Sequence, residues 1–158
     1  MFYQAKVTRE NQYWLAEFPD CPGCQTFAES EEDLLSMAAE ALNGWLEVSL
    51  EHGDVPCAPQ SYAGSDFMRV DIHPDLAVRL QIRLAMHETG MTQEALARRV
   101  GYSPQQIARL EHPNSNASIS TLVKVATALG MSLDVRFEKN SSPFSPCMAG
   151  QKTESKRA

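Results

Sequence analysis

Met91-Thr92-Gln93-Glu94-Ala95-Leu96-Ala97-Arg98-Arg99-Val100-Gly101 and, one residue on, Ser103-Pro104-Gln105-Gln106-Ile107-Ala108-Arg109-Leu110-Glu111 form the stretch that decides the fold. Thr92 carries a hydroxyl that can accept from the free N–H groups opening a helix, Gln93–Val100, and Gly101 suits the left-handed turn that ends it. Leu96 and Val100 lie one turn apart with small Ala97 beside them, which lets a following helix cross closely. Ser103 to Gln106 is an S-x-x-Q capping box, with Pro104 at the first helical position, where its missing N–H costs nothing. The helix it starts runs to about Glu111. Ile107 and Leu110 turn back toward the first helix, which leaves Gln105, Gln106 and Arg109 facing outward. Glutamine can hold adenine through two hydrogen bonds and arginine can hold guanine in the same way. Such groups at the exposed start of a second helix are what reading the major groove of DNA requires.

Around this pair the sequence supplies two more helices. Asp75 is expected to cap a helix over Leu76–Thr89 that ends at Gly90, and Ser118 to cap one ending near Leu129-Gly130. Ser132–Glu138 alternates Leu133, Val135 and Phe137 with Asp134, Arg136 and Glu138, the period of a strand. With Leu122-Val123-Lys124-Val125-Ala126-Thr127-Ala128-Leu129-Gly130 as the helix that follows, the block resembles the lambda-repressor/Cro-like (XRE) helix-turn-helix family. The resemblance implies that Gln93 holds a phosphate, that Gln105 and Arg109 meet base edges, and that Ser103 and Gln106 lie near phosphate or base. His112-Pro113-Asn114-Ser115-Asn116 departs from the family, in which a glycine-containing turn is common; the departure alters a loop and leaves the motif intact.

The front of the chain follows a different period. Phe2–Thr8 places Tyr3, Ala5 and Val7 on one face, and Tyr13–Phe18 does the same with Trp14, Ala16 and Phe18; Cys24–Ala28 makes a third short strand. Spacing this short favours an antiparallel meander. Ser30 then caps a helix whose first turn holds Glu31, Glu32 and Asp33, where carboxylates suit the helix dipole. Leu34, Leu35, Ala38, Ala39, Leu42, Trp45 and Leu46 form its apolar stripe, and Gly44 in its interior costs about 1 kcal/mol relative to alanine. Residues 53–66 read as a linker, rich in glycine, proline and serine. Phe67–Ile72 is a fourth strand, which could join the front sheet or bridge the two halves. Trp14-Leu15-Ala16-Glu17-Phe18-Pro19-Asp20, Pro22-Gly23-Cys24, Ala28-Glu29-Ser30-Glu31-Glu32-Asp33-Leu34 and Ala38-Ala39-Glu40-Ala41-Leu42 together make residues 3 to about 59 similar to the HicB antitoxin domain. That resemblance implies a partial RNase H-like fold without its chemistry, and a partner, the small basic HicA toxin that cuts RNA.

The expected fold class is therefore α+β, a partial RNase H-like βββαβ domain followed by an all-α lambda-repressor-like helix-turn-helix domain and a short strand. The expected boundaries are 1–60 for the antitoxin domain, 61–74 for a linker and bridging strand, 75–138 for the DNA-binding domain with its strand, and 139–158 for a disordered tail. Charge divides in the same place. The chain carries a net −6, but residues 1–66 hold two Lys/Arg against twelve Asp/Glu, whereas residues 67–158 hold twelve against eight. The basic back suits a polyanion; the acidic front suits a basic protein and would repel nucleic acid.

Several functions find little support. No apolar run is long enough to cross a bilayer, and the opening residues lack a basic region followed by an apolar one, so the expected compartment is the cytoplasm. Cys21-Pro22-Gly23-Cys24 has the spacing of a redox or zinc half-motif, but no second pair accompanies it and it sits in a Pro-Gly turn, so a structural turn is expected. The front strands offer Glu17 and, if the fourth strand joins, Asp71, fewer carboxylates than a metal-dependent nuclease needs. No catalytic residue, metal or cofactor is expected. The leading reading is an antitoxin that binds a HicA-type toxin and double-stranded operator DNA, with homodimer or higher assembly through Ser132–Glu138. A repressor sensing a small ligand in a pocket of Tyr13, Trp14 and Trp45 is the alternative, and a nuclease comes third. The residues that contact the toxin are not legible.

Overall fold

Alternating apolar residues at the front make a sheet, and a long amphipathic helix covers it. In a computed structural model, which describes residues 1–112 and 115–136, the strands are β1 (Phe2–Glu10), β2 (Tyr13–Glu17), β3 (Gln25–Ala28) and β4 (Phe67–Asp71), in the order β3-β2-β1-β4 with every neighbouring pair antiparallel. The fourth strand thus joins the front sheet. Register follows burial: Tyr3 lies opposite Val70 and Val7 opposite Ala16, so each strand's apolar set shares one face. Helix α1 (Glu31–Glu51) lays Leu34, Ala38, Leu42 and Leu46, all fully buried, on that face. Ser30 caps it as expected, its hydroxyl accepting from the Asp33 amide at 3.1 Å.

Phe18 and the cysteines close the far end. Cys21 to Cys24 is a tight turn in which the Cys24 amide donates to the Cys21 carbonyl at 2.9 Å. Pro22 supplies the fixed φ of the turn's second position, and Gly23, at φ +83°, supplies the left-handed third. Both thiols are buried and free, and burial pushes them up to about 12 for Cys21 and about 11 for Cys24. These are inert, packed thiols in a structural turn.

The segment of residues 53–66 has no regular structure, yet it is docked. Buried Asp20 accepts from the Gln60 amide at 2.9 Å and from the Tyr62 hydroxyl at 2.6 Å, and Gln4 pairs with the Tyr62 backbone. Composition reads this stretch as a linker; tertiary hydrogen bonds hold it against the sheet.

The back half begins with α2 (Pro74–Thr89), followed by α3 (Gln93–Val100), α4 (Pro104–Leu110) and α5 (Ile119–Ala128). The expected cap of α2 is corrected: His73 is the N-cap, with no side-chain cap bond, and Asp75 lies inside the first turn. A neighbouring helix does the capping instead, because buried Asn43 of α1 accepts from the His73 amide at 2.8 Å. The apolar cores divide within α2. Leu76, Ala77 and Leu80 pack with the sheet and α1, whereas Ile82, Ala85 and Met86 pack with Leu96, Ile107, Val125 and Leu129. Arg79, buried between them, pairs with Glu47 of α1 at 3.0 Å.

The strand expected over Ser132–Glu138 is absent: residues 131–136 form no strand, and 137 and 138 lie outside the described residues, as does the tail. A strand needs a neighbour to pair with, and no strand lies beside this segment among the described residues. Leu133 instead lines an apolar groove with Val78, Leu122 and Leu129.

Candidate nucleic-acid interface

The interface is built on the α3–α4 turn. Thr92 caps α3 through the Ala95 amide at 3.2 Å. Gly101 takes φ +75°, which lets the Tyr102 amide reach back to the Ala97 carbonyl at 2.9 Å. Leu96, Ala97, Ile107 and Leu110 are buried where the two helices cross. The opposite face of α4 is left in solvent, with Gln105, Gln106 and Arg109 all exposed.

These groups are not equivalent. The capping box is complete: the Gln106 amide donates to Ser103 Oγ at 3.2 Å, and the Ser103 amide donates to Gln106 Oε1 at 2.8 Å. Ser103 and Gln106 thereby hold the start of α4. Gln105 and Arg109, one turn apart on the same face, are the side chains presented outward from it.

Gln93 is half-buried at the start of α3, and its Nε2 donates to Glu111 Oε2. Glu111 also receives Arg83 of α2, at 3.0 Å between Nε and Oε1, and its side chain is only 6% exposed. One carboxylate therefore ties α2 and α3 to the end of α4, and it orients Gln93. No local pattern announces this link, because its three members are spread over Arg83 to Glu111.

Next to the outward face lies a groove of about 310 Å³, lined by Tyr102, Gln106, Arg109, Asn116, Ser118 and Thr121. Lys124 stands 5.7 Å from the centre of the Tyr102 ring. The α5 end of this surface is signalled along the chain only by the polar residues Asn116, Ser118, Ser120 and Thr121, which no helix-turn-helix spacing singles out. Arg98 and Arg99 are exposed on α3.

The other expected clusters do not assemble. Tyr13 meets Phe27 edge-on at 5.7 Å, Trp14 lies under Arg9, and Trp45 lines a groove on α1. Glu17 and Asp71 stand on β2 and β4, which flank β1 on opposite sides. No three His, Cys, Asp or Glu side chains come together as metal ligands among the described residues. No helix among the described residues is long and apolar enough to cross a membrane.

A family described as the HicB-like antitoxin of bacterial toxin–antitoxin systems matches residues 3–82. This chain belongs to the HicB-like antitoxin family. A helix-turn-helix family matches residues 81–135 of the same HicB-like chain, from the second half of α2 through α5. The join between the two matches falls where the two apolar cores divide. Antitoxin HicB 2 of Photorhabdus laumondii subsp. laumondii is 28% identical over 85% of this chain and 95% of its own length. Antitoxin HicB 1 of the same organism is 30% identical over 79% of each chain. Antitoxin HicB of Escherichia coli K12 is 25% identical over 77% of this chain and 88% of its own. This HicB-like chain is thus an antitoxin-family protein with a helix-turn-helix DNA-binding domain.

Proposed function

We propose that the chain neutralises a HicA-type mRNA-cleaving toxin through its front domain and represses its own toxin–antitoxin operon by binding the operator through α3 and α4. The observation that carries this reading is the joining, in one chain, of a HicB-like unit at −10 with a helix-turn-helix that presents Gln105 and Arg109 to solvent. Opposite charge speeds association with a basic nuclease and favours that partner over others. On this reading Gln105 and Arg109 read bases, Gln93 sits at a phosphate, Ser103 and Gln106 lie near phosphate or base while also capping the reading helix, and the protein works in the cytoplasm. The functional division follows the boundaries expected from sequence, with residues 1–60 for the toxin and 75–138 for DNA. The partial RNase H-like description of the front unit is supported by its βββαβ element order and the strand order β3-β2-β1-β4.

A single helix-turn-helix reads few base pairs, and two half-sites about 34 Å apart call for a pair. Ile119 and Val123, one turn apart on α5, are exposed, as are Met131 and Val135, and this apolar surface supports a homodimer through the back domain. The test is direct. Purified chain should inhibit RNA cleavage by a HicA-type toxin and shift a DNA fragment carrying its own promoter. Failure of toxin inhibition with operator binding intact refutes the antitoxin half.

A further inference from the structure

Helix α1 has a second face that is uncovered among the described residues. Asp33, Glu40 and Glu51 run along one side of it, and Met37, Gly44 and Val48 run beside them, each row repeating at helical spacing. Met37 is 43% exposed and Val48 53%, and with Gly44 they make an apolar row beside the carboxylates, opposite the buried stripe of the same helix. Val48 and Gly44 edge a groove of about 370 Å³ that separates α1 from the Cys24-Gln25 end of the tight turn, with Ala41 and Trp45 on its helix wall.

Gly44 is the informative position. Glycine in the interior of a long helix costs stability. Here it relieves no crowding, because a Cβ at Gly44 would meet nothing within 4 Å, and it needs no unusual backbone, since its φ is not positive. The folded chain gains nothing from the missing side chain; what the glycine provides is an open groove wall.

We infer that this face of α1, from Met37 to Glu51 with the groove at Gly44, is the docking surface for a basic partner protein, which inserts an apolar side chain beside Val48 and sets Lys or Arg against Glu40 and Glu51. The occupant is identified by charge complementarity: exposed Glu40 and Glu51 stand one helical turn from Gly44 and Val48 of the groove, on a unit that carries twelve acids and two bases over residues 1–66. Glu47 is turned away to Arg79 and takes no part. The inference rests on the antitoxin reading above, in which that partner is the toxin.

Calorimetric titration of the full chain with a catalytically inactivated HicA-type toxin tests both and separates them. Gly44→Arg fills the groove and repels a basic partner, and arginine favours helix over glycine, so the fold is kept. It should weaken toxin binding about 100-fold or more, as expected for blocking the centre of an interface, while promoter-DNA binding and the thermal midpoint are retained. Gly44→Ala adds one methyl and should raise the midpoint while keeping most of the affinity. Glu40→Lys with Glu51→Lys should slow association about tenfold and flatten its salt dependence. No binding by the wild-type chain overturns the antitoxin reading itself. Wild-type binding with Gly44→Arg unaffected overturns the docking surface alone. Loss of self-association in Gly44→Arg by light scattering, with toxin affinity unchanged, assigns the face to a second copy of this chain and also overturns the inference.

Discussion

Replacing Glu111 with alanine should destabilise the DNA-binding half out of proportion to the size of the change. Arg83 Nε lies 3.0 Å from Glu111 Oε1, and the two side chains are 20% and 6% exposed. At an effective dielectric of about 20, two unit charges at that distance attract by about 5 kcal/mol. Most of this is offset in the intact protein by the cost of drying both groups, so the pair's net contribution is small. Removing one partner is different, because the drying cost of the other remains. Breaking fully buried pairs costs about 3–5 kcal/mol. Arg83 keeps a fifth of its side chain in water, and its Nη1 still donates to the Gly53 carbonyl at 3.2 Å. The loss should therefore fall at the low end, about 3 kcal/mol, read by urea denaturation followed by helical circular dichroism. The double variant Arg83→Met with Glu111→Leu removes both charges and should recover about 2 kcal/mol of that loss. A single-variant cost below about 1 kcal/mol, or effects of the two sites that simply add within about 0.5 kcal/mol, would refute the account of Glu111 as the tie among three helices.

The reading face gives a second expectation: Arg109→Ala should weaken promoter binding by about 1–3 kcal/mol and relax discrimination at one base position, measured by titrating operator variants. Gln93→Ala should instead weaken binding to all sequences alike, and equal loss of discrimination in both variants would count against the assignment. Ser103→Ala opens the capping box and should cost about 1 kcal/mol of stability; an unchanged urea midpoint would contradict its role. Cys21 and Cys24, raised to about 12 and about 11, should resist alkylation at pH 8 while exposed Cys57 reacts. The same shifts set a pH dependence. Above about pH 9 the unfolded chain releases thiol protons that the folded chain retains, so stability should fall as pH rises from there toward 12. A urea midpoint that stays level across that window would show the thiols to be hydrated.

Much of this was readable along the chain because it is local. Capping by Ser30, Thr92, Ser103 and Ser118 involves residues three apart. Two-residue alternation in β1 and β2 and the apolar stripe of α1 name their own buried faces. The α4 reading face followed from the same logic, since Ile107 and Leu110 must turn inward and thereby turn Gln105 and Arg109 outward. Where short-range pattern misled, a distant group had taken over. Asp75 has the chemistry of a cap, but the His73 amide is met by Asn43, thirty positions earlier. Alternation at Ser132–Glu138 is genuine, yet alternation cannot supply the second strand that pairing needs.

By itself the sequence determined the two periods, the capped helix pair and the charge division at about residue 66, and with them the kind of protein this is. Tertiary structure alone decided that β4 closes the sheet beside β1 and that Gln93 is held by Glu111. It also decided that the wall around Gly44 stays open. The reason is one of range: hydrogen bonds and apolar faces repeat along a few residues and can be read there, but ion pairs, sheet neighbours and empty space depend on which distant residues the fold brings together.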